Sequence, residues 1–305
     1  MYKEIALFAK SAGAEVITDA PMKKYTSFKC GGNASLLIVP DSIDSLKNII
    51  DFCYKNNIEP FIIGNGSNLL VTDGGIDSVV IKIGSKLSKI ELLDDTTIYC
   101  EAGASLKSLC MFALENSLSG LEFAYGIPGT LGGAVYMNAG AYGGEMKDVL
   151  YSCKHIDKNA KFGELTQEQL NLGYRRSAYT ENGYTVVSAI LKLKKADKTE
   201  IKSLMDTNLQ KRKDKQPLEF GSAGSTFKRP EGYFAGALIE QSGLKGYTVG
   251  GAQVSEKHAG FVINKNNATA TDVLQLIKDV QKIVYEKFGV MLETEVKIIG
   301  SKEEL

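Results

Sequence analysis

Two glycine-rich segments carry the residue types and spacing that point most directly to chemistry. The first, Ile62-Ile63-Gly64-Asn65-Gly66-Ser67-Asn68-Leu69-Leu70-Val71, leaves an apolar run and enters residues that tolerate left-handed backbone. Successive N–H groups in such a turn can converge on a phosphate, and Ser67 and Asn68 add side-chain donors. Neither the G-x-G-x-x-G spacing nor a Gly-Lys-Ser/Thr sequence is present, so taken alone this reads rather as an ordinary tight turn. The second runs from Gly126-Ile127-Pro128-Gly129-Thr130-Leu131-Gly132-Gly133-Ala134 through Asn138 to Gly143-Gly144-Glu145. So many glycines cost conformational entropy, which close backbone approach to a large flat ligand would offset. Pro128 can open a short helical turn whose free N–H groups face an anion. The bland reading is a crossover loop, but two such segments in one chain favour nucleotide binding.

Other candidate groups are sparser. Glu293 and Glu295 lie two apart in an expected final strand, Val290 to Ile299, and would share a face. Gly224-Ser225-Thr226 by itself reads as a turn. Lys211-Arg212-Lys213 is either a solvated helix end or a local cluster for an anion. His155 and His258, the only histidines, lack metal-ligand spacing, and no metal site is expected.

The elements that must position these groups alternate without regularity, giving an α+β class. Strands are expected at Ala34–Val39, Phe61–Ile63, Val79–Ile83, Thr97–Glu101 and Val186–Leu193. Helices are expected at Asp41–Asn57, where Ile43, Leu46, Ile49, Ile50 and Cys53 share a face, and at Ser105–Ser117, stopped by Gly120. Two more follow, at Glu200–Lys213 and Thr271–Phe288, the latter with a capping box of Thr269 and Asp272 and with Gly289 as its C-terminal cap. The charged run Lys194–Lys198 reads as a seam between domains.

Composition narrows the function classes. With 305 residues, 44% of them apolar, the chain has room for two or three domains. Basic and acidic residues balance at 36 each, so no global field draws in nucleic acid or an anionic membrane. Five cysteines without C-x-x-C spacing read as reduced, mostly buried thiols. No stretch approaches 18 uninterrupted apolar residues and no signal segment is evident, so a cytoplasmic location is expected by default.

The two glycine segments resemble the FAD-binding signature of UDP-N-acetylenolpyruvoylglucosamine reductases. Gly173-Tyr174-Arg175-Arg176-Ser177, Ala223-Gly224-Ser225-Thr226-Phe227-Lys228-Arg229-Pro230 and Leu292-Glu293-Thr294-Glu295-Val296 fit the same family in the same order. The resemblance implies the vanillyl-alcohol-oxidase (PCMH-type) FAD fold. Two α+β subdomains, 1–82 and 83–197, would bind FAD, and a C-terminal α+β domain, 198–305, would bind substrate. Longer members carry an insertion with a tyrosine after the arginine motif. Here Ser177 leads almost at once into the next strand, so the chain resembles the shorter class.

The resemblance also implies the reaction and its residues. NADPH would reduce FAD, and FAD would reduce the enolpyruvyl ether of a UDP-sugar to UDP-N-acetylmuramate for peptidoglycan synthesis. Arg175 would hold the substrate carboxylate, Ser225 would donate the proton, and Glu295 would assist. FAD would contact Gly64, Asn65, Gly66, Ser67, Asn68, Leu69, Gly126, Ile127, Pro128, Gly129, Thr130, Gly132, Gly133, Ala134 and Asn138. It would be held non-covalently, since no His or Cys lies between Cys53 and Cys100. Tyr174, Arg212, Lys215 and Arg229 would bind substrate, the last three replacing the missing tyrosine at the pyrophosphate. Two alternatives stay open: another FAD oxidoreductase of this fold, or a non-redox nucleotide-sugar binding protein.

Overall fold

The computed structural model describes residues Met1–Gly300, which divide into two compact units. The first comprises Met1–Thr18, Leu36–Asn65 and Ser78–Arg212; the second comprises Asp19–Ser35, Gly66–Asp77 and the chain from Lys213 onward.

The strands β1 (Glu15–Pro21), β2 (Asn33–Val39), β5 (Ile76–Lys82) and β3 (Phe61–Ile63) lie in that order, with β3 and β5 parallel, and most of β2 and β5 and all of β3 belong to the first unit. Two helices, α1 (Tyr2–Ser11) and α2 (Ile43–Lys55), accompany this sheet, and Phe8 stacks on Phe52 with ring centroids 4.1 Å apart. The apolar period of α2 is the expected one: Leu46, Ile49, Ile50 and Cys53 are buried. Ser42 caps it by accepting from the Ser45 N–H at 3.2 Å.

A second, wholly antiparallel sheet of this unit has the order Phe162–Thr166, Leu150–Ile156, Thr185–Lys192, β7 (Thr97–Glu101) and β6 (Ile90–Leu92). Ala189 pairs with Cys100 on one side and Cys153 on the other, so two buried thiols flank a small residue in one row. Helix α3 (Leu106–Glu115) begins at its Ser105 cap, but Gly120 does not end it. Asn116 does, its amide donating to the Phe112 carbonyl at 2.8 Å, followed by Ser117 at φ 55°. A short helix α4 (Leu131–Tyr136) follows, then α5 (Ala178–Asn182) and α6 (Lys198–Lys215), whose Ile201 and Met205 join the same core.

The second unit is organised around α8 (Ala270–Phe288), which buries Val273, Leu276, Ile277, Val280 and Val284. Its capping box of Thr269 and Asp272 and the left-handed Gly289 at φ 68° are as the sequence predicts. Asp73 adds a second cap, accepting from the Ala270 and Thr271 N–H groups at 2.8 Å each. Strands Thr248–Val249, Ala252–Val254 and Val262–Asn264 form an antiparallel sheet, with α7 (Ala235–Gln241) before them.

The expected ten-residue final strand is shorter. Only Lys297–Ile299 is strand, paired in parallel with β4 (Leu69–Val71). Upstream, successive backbone groups bond to different segments and no ladder forms. The Leu292 carbonyl accepts from Gln281, the Glu293 carbonyl from the Lys228 N–H, and the Glu295 N–H donates to Thr226. The shared-face argument for Glu293 and Glu295 therefore falls. Glu293 is exposed and pairs with Lys228 at 2.9 Å, whereas Glu295 is half-buried.

Candidate active site

Within the first unit the start of the first glycine segment meets the second. A Cβ on Gly64 would stand 2.2 Å from the Thr130 hydroxyl, closer than atoms can approach, so only glycine fits. Next to it the Asn65 amide donates to the Pro128 carbonyl at 3.4 Å. Thr130 caps α4, with its hydroxyl 3.5 Å from the Gly133 N–H, so the helix starts at Leu131 and Pro128 lies outside it. The helical turn expected at Pro128 is thus displaced by three residues. The Leu106 N–H donates to the Gly129 carbonyl, while the Leu131 and Gly132 N–H groups donate to Ala104 and Ala102. These bonds fix the second segment onto the turn that follows β7.

The geometry fits a flavin dinucleotide. Among the described residues, the N–H groups of Gly64, Asn65 and Ser67 donate to no protein acceptor, which leaves donors for phosphate oxygens. Gly133 is exposed: the nearest atom to the place a Cβ would occupy is the Thr130 hydroxyl at 3.7 Å, and Ile127 and Ala134 line the same segment. Gly126, at φ 98°, approaches Arg212, whose Cδ and Nε would lie 3.4 Å from a Cβ there. Arg212 also stacks over Tyr142 at 5.9 Å, and burial pulls its pKa down.

Arg175 occupies a tight turn. The Arg176 N–H donates to the Gly173 carbonyl at 3.1 Å, and the Gly173 N–H returns a bond to Arg176 at 3.0 Å. Arg175 sits at φ 53°, a left-handed conformation that costs a non-glycine residue about 1–2 kcal/mol. Its guanidinium lies over the ring of Tyr174, 5.0 Å from the centroid, and Tyr174 is itself 55% exposed.

Both ends of this turn are anchored. The Asn138 amide, fully buried, donates to the Gly173 carbonyl at 3.0 Å and to Glu145 at 2.9 Å, and its oxygen accepts from the Lys147 N–H at 2.9 Å. The buried Ser177 hydroxyl donates to the Tyr136 carbonyl at 2.8 Å. Asn138, expected to touch the cofactor, has its side chain engaged in holding the arginine turn against the glycine segment.

The second unit brings Ser225 and Glu295 onto one scaffold. The Glu295 N–H donates to the carbonyl of Thr226, the residue after Ser225, at 2.8 Å, and Phe227 bridges Thr294. Thr226 is locked in turn: its N–H donates to Gly260 at 2.9 Å and its hydroxyl accepts from the Val262 N–H at 2.9 Å. Gly224 reaches φ 77° with open space where a Cβ would stand, and Ser225 is half-buried. Asn68 of the first glycine segment joins this group, its amide donating to the Glu295 carbonyl at 3.2 Å. Its neighbour Leu69 begins β4, and Gly66, at φ 59°, would place a Cβ 2.2 Å from the Tyr25 carbonyl.

Lys215 is exposed; burial lowers the pKa of His258, and the charges of Lys245 and then Lys215 act in the same direction. The His258 Nδ1 accepts from the Gly260 N–H at 3.1 Å. Arg229 is exposed and stacks on Phe234 at 4.0 Å. His155 is buried against Tyr179, whose hydroxyl is 3.3 Å from its Nδ1, and burial lowers its pKa, as a structural histidine should behave. Among the described residues no group of His, Cys, Asp or Glu could hold a metal ion, and no helix is long and apolar enough to cross a membrane.

Sequence reasoning missed two contributors. Thr226 looked like a turn residue, and only its bonds to Gly260, Val262 and Glu295 show that it organises the site. Lys82, at the end of β5, lies with its ammonium 3.3 Å from the Gly64 carbonyl. A lysine closing the apolar run Val79-Val80-Ile81 was the available signal.

Comparison with known proteins agrees with this geometry. Residues 34–165 match the model of an FAD binding domain, and residues 216–299 match that of the UDP-N-acetylenolpyruvoylglucosamine reductase C-terminal domain. A Clostridium novyi protein named UDP-N-acetylenolpyruvoylglucosamine reductase is 52% identical over 290 residues, 95% of this chain and 94% of that protein. One of the same name from Clostridium botulinum is 55% identical over 288 residues, 94% and 93% of the two chains. The crystal structure of UDP-N-acetylenolpyruvylglucosamine reductase from Thermus caldophilus superposes with a TM-score of 0.80 at 36% identity, covering 93% of this chain and 98% of that one. A Physcomitrella patens BBE-like 1 protein shares the fold alone, with a TM-score of 0.50 at 12% identity over 63% of this chain and 44% of that one. The fold is the α+β FAD-binding type of the vanillyl-alcohol-oxidase class, the protein is an FAD-containing oxidoreductase, and the chain belongs to the UDP-N-acetylenolpyruvoylglucosamine reductase family.

Proposed function

We propose that the chain reduces the enolpyruvyl ether of UDP-N-acetylglucosamine to UDP-N-acetylmuramate, with NADPH as the source of electrons and residues 198–305 covering the substrate. The observation that carries the reading is the bond from the Glu295 N–H to the Thr226 carbonyl, which places the proposed proton donor and its proposed helper on one rigid support. Bound non-covalently, FAD would supply hydride chemistry, accepting a hydride from NADPH and delivering one to the vinyl methylene carbon.

The residues of this chain do the rest. As the methylene carbon gains hydride, negative charge develops on the neighbouring carbon and its carboxylate. The Arg175 guanidinium, which lies over the Tyr174 ring, would hold that carboxylate and disperse the charge. Ser225 would give its hydroxyl proton to the carbon that carries the charge and recover one from water, with Glu295 assisting that exchange. Tyr174, Lys215 and Arg229 would hold the nucleotide and its pyrophosphate, with Arg212 contributing from beside Gly126.

The experiment is turnover with the purified chain. NADPH oxidation should require the enolpyruvyl ether, and mass spectrometry should find a product two hydrogens heavier. NADPH oxidation with dioxygen that ignores the UDP-sugar would point instead to an oxidase of the same fold.

A further inference from the structure

Lys82 ends β5 in register with Ile63, the last residue of β3, and the two strands are parallel. Ligands of parallel α/β sheets bind beyond the carboxyl ends of the strands, and the first glycine segment begins there at Gly64. The ammonium lies 3.3 Å from the Gly64 carbonyl and 3.6 Å from where a Cβ on Gly84 would stand.

The environment is unusual for a lysine. The residue is half-buried, and among the described residues no carboxylate pairs with it; the Gly64 carbonyl is the one acceptor it has. Burial alone lowers its pKa, with no neighbouring charge acting against it. Partial burial without a counterion costs a cation solvation free energy, which an anion bound beside it would offset.

We propose that Lys82 is a cofactor-binding residue whose ammonium pairs with the pyrophosphate of FAD at the first glycine segment. The inference rests on the FAD-binding domain already established and adds to it a residue outside both glycine segments. The competing role is structural: the lysine would merely tie down the Gly64 carbonyl.

The test compares apoprotein affinity for FAD and for riboflavin, which has the same ring system and no phosphate, by quenching of flavin fluorescence. Lys82→Met should weaken FAD binding about 10- to 100-fold at low salt and leave riboflavin unchanged, whereas Lys82→Arg should retain most FAD affinity. Raising salt should weaken FAD binding more steeply in the unaltered chain than in Lys82→Met. Equal losses for FAD and riboflavin would assign Lys82 the structural role and overturn the proposal, as would unchanged FAD affinity. If Lys82→Met does not fold, Lys82→Gln is read by the same two ligands. Failure of the unaltered chain to bind FAD would refute the flavin reading itself, a separate result.

Discussion

Replacing Gly64 by alanine tests whether the two glycine segments form one cofactor cradle. The new Cβ would stand 2.2 Å from the Thr130 hydroxyl, 3.3 Å from its Cβ and 3.3 Å from its Cγ2, where ordinary contact begins at 3.4 Å. The hydroxyl and the loop must therefore separate by 1.2 Å, the difference between 3.4 and 2.2. Forcing that much extra volume into a packed contact costs about 1–3 kcal/mol. If the strain falls on the cradle, FAD affinity should drop by roughly 5- to 150-fold. Thr130→Ala removes the clashing oxygen at the expense of the α4 cap, about 1 kcal/mol. Combined with Gly64→Ala it should restore affinity toward that of Thr130→Ala alone, a coupling of about 1 kcal/mol or more in a double-mutant cycle. The assay is FAD titration of the apoprotein by flavin fluorescence, with urea unfolding run in parallel. Unchanged FAD affinity in Gly64→Ala, or strictly additive losses in the double variant, would refute the reasoning.

Two further outcomes are expected. Asn138→Ala removes three partly buried hydrogen bonds and should lower stability in urea by about 2–3 kcal/mol, with turnover falling as the Arg175 turn loosens; turnover equal to that of the unaltered chain would show that the anchor is dispensable. Burial pushes the Cys30, Cys53 and Cys110 thiols up to about 12, so at pH 8 they are protonated and shielded, and a chromogenic disulfide should label no cysteine until urea unfolds the chain.

Much of this architecture was legible because its signals are local. The apolar period of α2, the Thr269 and Asp272 box of α8 and the left-handed Gly289 each depend on residues within a few positions of one another. The glycine segments were legible as unusual composition, and Gly64 and Gly66 prove to be places where a side chain would collide. What remained hidden depends on partners far away in sequence. Helix α3 ends at Asn116 because its amide caps a carbonyl, so the more obvious Gly120 misled. The stretch before Lys297 alternates like a strand, yet its backbone bonds to Gln281, Lys228 and Thr226. Nor does Asn138 announce its role; Gly173 lies 35 residues away. The chemistry assigned to Arg175, Ser225 and Glu295 was readable only through family resemblance, since a strained arginine, a turn serine and a lone glutamate have no signature of their own.

The most direct measurement separates the two halves of the proposed reaction in Ser225→Ala. Under anaerobic stopped flow, NADPH should bleach the flavin absorbance at about 450 nm at close to the unaltered rate, because Ser225 has no part in that step. Adding the enolpyruvyl UDP-sugar should then restore the absorbance quickly in the unaltered chain and about 10²- to 10⁴-fold more slowly in the variant. Equal slowing of both steps, or reoxidation by the sugar at the unaltered rate, would contradict the account.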